Sequence, residues 1–257
     1  MPETWFEREG VRLFAVEAGT GRAIVMLHGG MSSHLSSLPF LVPLIPRYRV
    51  LAPDLRGSGQ SHYGGLLSFD QLADDVEALL DHLGIAKAVI GGASGGSGVA
   101  LRFALRHPDR TAGLVLIHPV YGGAERGYTV AQKETFAGMG ALASRALAEG
   151  VGVLRPLYEN LPPAIREKAL AMMEEFDAAS VVATSRFVAS GEQPFGSATE
   201  LEALTMPVLL VPGDDPIHPA EVSELYAAHL PEVAVVRVPV TEAAAAIEAF
   251  CERIDPW

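Results

Sequence analysis

A serine flanked by glycines sits where a strand has to turn abruptly into a helix. Residues 90–97 read Ile-Gly-Gly-Ala-Ser-Gly-Gly-Ser, which puts Gly92, Ser94 and Gly96 in the spacing G-x-S-x-G. Ala88-Val89-Ile90 ahead of them is a buried-strand run, and Leu101, Phe103, Ala104 and Leu105 behind them continue as a helix. A turn this tight tolerates only small neighbours and lifts the serine hydroxyl above the sheet edge. It also sets the Gly95 amide at a helix start, where developing negative charge is stabilised. A phosphate cradle is the competing use of such a glycine run, but the G-K-[ST] ending is missing.

The rest of the chain repeats the alternation that the elbow requires. Trp5 to Ala18 predicts a β-hairpin turning at Glu9-Gly10. Ala23–Leu27 is a continuous apolar run of the kind buried parallel strands show, and Arg49–Pro53, apolar after its arginine, predicts a second such strand; they end at His28-Gly29-Gly30 and at Asp54-Leu55-Arg56-Gly57-Ser58-Gly59-Gln60-Ser61. Phe69 to Leu83 has helical spacing and stops at Gly84. Gly113–Ile117, Val208–Val211 and Val233–Val238 predict further strands, and Ala243–Ile254 a last helix. Between 121 and 200 there are only helical patterns. The expectation is one α/β domain over 1–257, with a mostly parallel central sheet flanked by helices. The segment 121–200 reads as a helical cap inserted over the carboxyl edge, where open α/β sheets bind ligands.

Composition narrows the partners. Nineteen Lys and Arg against 31 Asp and Glu leave a net charge of −12, which disfavours a nucleic-acid backbone or an anionic membrane surface. The single cysteine, Cys251, excludes an intrachain disulfide and a multi-cysteine zinc site. Met1 to Glu7 lacks the cationic start and apolar core of a signal peptide, so the expected location is cytoplasmic. The small-residue turn His28-Gly29-Gly30 allows backbone amides to approach a substrate oxygen, with His28 itself structural. Asp54 and Arg56 read as a buried network that shapes their loop. His34, His62, His82, His107 and His229 are expected to be solvated, and Cys251 inert.

The ordered set of strand–HGG, strand–DLRGSGQS, strand–GGASGG, helical insertion and strand–PGDDPIHP resembles the α/β-hydrolase fold family over essentially the whole chain. The resemblance implies Ser94 as nucleophile, an oxyanion hole from the amides of Gly30 and Gly95, and an acid after the strand ending at Val211. Asp215 fits that acid best; because the loop is one residue short, Asp214 stays open. The resemblance also implies a catalytic histidine after the last strand. The final 28 residues contain no histidine, and Val238-Pro239-Val240 passes directly into Thr241-Glu242-Ala243.

Three readings follow. His118, at the end of the strand beside that of Ser94, replaces the base; or His218 turns in from the loop of Asp215; or no imidazole activates Ser94. With a base, the chain is a serine hydrolase for a small, mostly apolar ester, lactone or related carbonyl compound, needing no metal or organic cofactor. Without one, it is a non-hydrolytic small-ligand-binding protein, or uses its oxyanion hole for elimination, isomerisation or cyclisation.

Overall fold

The first strands form where side-chain alternation and turn chemistry agree. In the computed structural model, which describes residues 1–65, 67–159, 161 and 163–254, β1 (Glu3–Arg8) and β2 (Val11–Ala18) pair antiparallel. The turn between them holds Glu9 at φ 52° and Gly10 at φ 75°, the left-handed pair whose twist matches the flanking strands. β3 (Ala23–Leu27), β4 (Arg49–Pro53), β5 (Ala88–Ala93), β6 (Thr111–Ile117), β7 (Val208–Val211) and β8 (Val233–Val235) complete one sheet in the order β1-β2-β4-β3-β5-β6-β7-β8. All pairings from β4 to β8 are parallel. This matches the expected fold class; β8, the edge strand, ends at Val235 rather than at the expected Val238, and Val235 and Arg237 are exposed.

Both faces of the sheet are covered, which is why β3 reads as unbroken apolar sequence and is buried throughout. One face packs on α1 (Phe69–His82) and α2 (Gly95–Arg106), through Leu72, Val76, Leu79, Val99 and Phe103. The other is covered by α7 (Ala243–Arg253), through Ile247 and Phe250. Cys251 is buried there, and burial pushes its thiol up to about 12, so it stays protonated and unreactive.

Between β6 and β7 run α3 (Val130–Glu149), α4 (Pro163–Glu174) and α5 (Ala178–Ala189), and α6 (Ala220–His229) follows β7. Ala143, Leu154, Tyr158, Met173 and Val182 form a small core of their own within that block. No helix among the described residues is long and apolar enough to cross a membrane.

The loop after β4 departs from the single Asp–Arg network expected. Arg56, only 1% exposed, forms a two-pronged pair with Asp75 of α1 at 2.8 and 2.6 Å. Asp54 instead accepts from the Gln60 amide at 2.8 Å and pairs with His34 Nδ1 at 2.9 Å. Carboxylate and guanidinium therefore serve two networks, one fixing the loop to α1 and one fixing it to the segment after β3. His34 is thus paired rather than solvated. So is His107, which packs on Phe103 with ring centroids 4.9 Å apart and meets Glu77 at 3.1 Å.

Candidate active site

Four strands deliver the site from their carboxyl ends: β3 to Gly30, β5 to Ser94, β6 to His118 and β7 to the loop 212–219. Ser94 adopts φ 52°, ψ −122°, a backbone that a side-chain-bearing residue holds only when its surroundings enforce it. The glycines explain how it is enforced. A Cβ on Gly92 would overlap the Gly96 carbonyl, and one on Gly96 would come within 2.5 Å of the carbonyl oxygens of Leu27 and His28. The Ser94 amide donates to Ile117 O at 2.9 Å, and Ser97 Oγ donates to Ser94 O at 2.6 Å. The serine thus starts α2 with its hydroxyl at the sheet edge.

His218 Nε2 lies 2.9 Å from Ser94 Oγ, and its Nδ1 lies 2.7 Å from Asp215 Oδ2. The other oxygen of Asp215 accepts the amides of Ile217 at 2.8 Å and His218 at 3.0 Å. This is an aspartate-anchored turn that holds carboxylate and imidazole three residues apart on one loop. Desolvation pushes the Asp215 carboxyl up, but the hydrogen bond and charge of His218, with the two amides, outweigh it and hold the carboxyl below its ordinary range. An ionised Asp215 accepts at every contact, so Nδ1 of His218 carries the proton and Nε2 faces Ser94 as acceptor. Asp214 is exposed, while Asp215 makes these contacts.

The ring of His118 packs beside that of His218, with centroids 5.5 Å apart. Its backbone has φ 47°, and its amide donates to Val211 O at 2.8 Å. Burial, and secondarily the neighbouring His218, hold its imidazole below the ordinary histidine range against the pull of Asp215. Of the two candidate histidines it is His218, from the loop after β7, that reaches Ser94, although β6 lies between β5 and β7 in the sheet. The signal available in the sequence was Asp215-Pro216-Ile217-His218-Pro219, a spacing in which a turn brings the carboxylate to the ring.

Gly30 and Gly95 also come together: a Cβ on Gly95 would stand 3.3 Å from the Gly30 nitrogen. As the first residue of α2, Gly95 has no intrahelical acceptor for its N–H. His28 is buried as a strut between two loops, with Nδ1 2.7 Å from Gly29 O and Nε2 accepting the Leu55 amide at 3.0 Å. Burial holds its imidazole below 6.5, as a ring must be when one nitrogen has to accept.

Gln132, 1% exposed, was not singled out by sequence reasoning. Its Nε2 donates to Val120 O at 2.8 Å and to Ile217 O at 2.9 Å. It therefore clamps the start of α3 to the loop that carries His218. Its other atoms complete a capping box with Thr129, and that Thr-x-x-Gln pattern was the legible half of the signal.

Among the described residues, two groups of side chains could hold a metal ion, His118 with Asp215 and His218, and Asp74 with Glu77 and His107, each with donor atoms within 4.8 Å. In the first, an ion on Nδ1 of His218 would have to displace the proton now shared with Asp215. Taken together, the contacts can activate a hydroxyl and hold an oxyanion beside it.

Comparison with known proteins agrees with this architecture. A model of the alpha/beta hydrolase fold family matches residues 22–249. A thermophilic esterase from Thermogutta terrifontis, solved with malate bound, superimposes with a TM-score of 0.82 at 26% identity, covering 99% of both chains. A soluble epoxide hydrolase from Corynebacterium sp. (strain C12) is 35% identical over 115 residues, 44% of this chain and 40% of its own length. A 2-hydroxy-6-oxo-6-phenylhexa-2,4-dienoate hydrolase from Burkholderia cepacia is 36% identical over 122 residues, 42% of this chain and 40% of its own. The match thus spans well under half the length of these curated relatives.

Proposed function

The chain belongs to the alpha/beta hydrolase fold family, and on that premise we propose that it is a serine hydrolase of small, mostly apolar esters or lactones. In this reading its base and acid share the loop after β7. The observation that carries the proposal is the unbroken line from Ser94 Oγ to His218 Nε2 at 2.9 Å and from His218 Nδ1 to Asp215 at 2.7 Å. The similarity to an esterase along the whole chain supports the same reaction class. The absence of a histidine in the final 28 residues makes the triad non-standard in its chain placement, not in its roles.

The reaction follows from the contacts. Ser94 Oγ attacks the carbonyl carbon while its proton passes to His218 Nε2, and Asp215 stabilises the imidazolium without taking its proton. The amides of Gly30 and Gly95 hold the oxyanion. Collapse expels the alcohol, which leaves with the proton from Nε2. Water then attacks the acyl-enzyme, gives one proton to Nε2, and the carboxylic acid departs as Ser94 regains its proton. His118 takes no proton in this sequence and serves as a wall against His218. The helical segment 121–200 acts as a cap, and no metal or organic cofactor enters the reaction. The acidic surface and the single buried cysteine fit a cytoplasmic protein with no nucleic-acid partner.

Labelling by a fluorophosphonate with intact-mass detection tests the reading. One adduct on wild type, lost in Ser94→Ala and in His218→Ala but retained in His118→Ala, is the expected pattern. An unlabelled wild type across the neutral and alkaline range, or labelling that survives Ser94→Ala, overturns it.

A further inference from the structure

Three cavities meet at the same two side chains. The innermost, about 50 Å³, borders Gly30 and Gly95 and is walled by Leu55, Leu72, Val99 and Phe187. A lobe of about 30 Å³ lies toward Phe136 and Met139. An open groove of about 420 Å³ runs between the loop 57–63 and α5, lined by Tyr63, Phe176, Asp177 and Ser180. Met31 and Thr184 line all three.

Both residues are held in place. The Thr184 hydroxyl donates back to Ser180 O at 3.0 Å and Val181 O at 3.1 Å, which fixes the rotamer of a β-branched side chain. Its methyl carbon would lie 3.5 Å from a Cβ on Gly57, so it closes toward the loop. Met31 sits at φ 50° directly after the Gly29-Gly30 turn. Its carbonyl accepts the Tyr158 hydroxyl at 2.7 Å, and its side chain packs on the small core of the helical block.

We propose that Met31 and Thr184 are the specificity-determining wall of the acyl pocket, and that they make the protein selective for short-chain acyl esters. This rests on the serine-hydrolase reading above and assigns its substrate class. An acyl chain on Ser94 whose oxyanion lies at Gly30 and Gly95 has the inner cavity next to it. The inner cavity and the side lobe are each many times smaller than the groove, so between them they hold only a short acyl chain. Acetyl to butyryl chains fit; an octanoyl chain has to pass Met31 and Thr184 to reach the groove. The apolar lining gives each accommodated methylene a gain, and the wall turns that gain into a steric penalty once the cavity is full.

The test is a series of p-nitrophenyl esters from acetate through butyrate and octanoate to dodecanoate, with kcat/KM measured for wild type, Thr184→Ala, Met31→Gly and the double variant. Glycine at 31 also relieves the left-handed backbone. Wild type is expected to favour acetate and butyrate over octanoate by about tenfold or more, and the double variant to raise its own octanoate-to-butyrate ratio by about tenfold. Each variant is checked for a cooperative melt, and Thr184→Val, which keeps the bulk and loses the hydroxyl, should retain the wild-type ratio. A wild type that turns over octanoate as readily as butyrate, or folded variants whose ratio does not move, refutes the wall. If no ester is hydrolysed and Ser94 is unlabelled, the serine-hydrolase reading fails instead. The wall is then judged by thermal shift: butyrate protecting wild type while octanoate protects only the double variant supports it, and equal protection of both proteins by octanoate overturns it.

Discussion

Replacing Asp215 by asparagine should harm the protein more than replacing it by alanine. In the native loop one oxygen of Asp215 accepts two backbone amides, from Ile217 and His218, and the other faces Nδ1 of His218 at 2.7 Å. An asparagine keeps its oxygen toward the two amides, because the reverse orientation would set an NH₂ against two N–H groups. Its NH₂ therefore points at Nδ1, which must become an acceptor, and the proton moves to Nε2, where it faces Ser94 and cannot serve as base. Alanine removes the partner but lets water take the Nδ1 proton, so the productive tautomer survives.

The magnitudes follow from the contacts. A hydrogen bond to a charged group contributes about 1.5–3 kcal/mol. The Asp215 side chain is 46% exposed, which puts alanine at the low end, a loss of about 10- to 50-fold at 1.36 kcal/mol per decade. For asparagine, reaching the working tautomer also requires breaking its bond to Nδ1, which costs about a further 2–3 kcal/mol and brings the total loss to about 1000-fold. Steady-state hydrolysis of p-nitrophenyl acetate measures kcat for both variants, and nitrogen-detected NMR of His218 reads the tautomer. An asparagine variant as active as the alanine variant, or one that keeps the proton on Nδ1, refutes the reasoning.

Further outcomes rest on other contacts. Gly96→Ala pushes a methyl against the carbonyls of Leu27 and His28; it should cost about 3 kcal/mol and lower the melting temperature by about 6–12 °C, and a shift under about 2 °C contradicts the packing. Asp75→Ala strands the buried Arg56 guanidinium and should cost about 3–5 kcal/mol in urea unfolding, whereas the joint replacement Arg56→Met with Asp75→Leu should cost less. Stability should rise with pH through the acid range. His28 and His118 are held below 6.5 in the fold, so on lowering the pH the unfolded chain takes up protons first and stability is lost from about 6.5 downward; Asp54, held below 3.8 by its partners despite the desolvation that opposes it, adds a loss of the same sign below about pH 4. Urea unfolding from about pH 5 to 8 reads the histidine part, with a slope of at most about 1.4 kcal/mol per unit per group, and a flat profile excludes it.

What could be read before the fold was known divides along a physical line. β3 and β4 were legible to the residue because the positions of a strand that are buried on both faces must be apolar, Arg49 standing at the half-buried start of β4. Ser94 was legible because its backbone strain forces glycine at 92 and 96, leaving a trace in composition. His218 left no such trace. Its role depends on where one short loop crosses, and that crossing is set by contacts distant in sequence, such as Gln132 reaching Ile217. Arg56 was expected to pair with Asp54 because the two are neighbours in the chain. Both are buried, but Asp75 presents a two-pronged acceptor from α1 that a residue two positions away in the same turn does not.

The passage from β8 to α7 runs through Pro239 and a short turn at Val240–Glu242, with no histidine on it. If acid and base both travel on the loop after β7, they hold their mutual geometry even when the outer strand and final helix shift. The carboxyl-terminal unit then serves the molecule as scaffolding alone. Lengthening its connection should register in the melting curve while turnover per folded molecule stays constant, which makes this edge the natural place to graft a loop or a fusion partner.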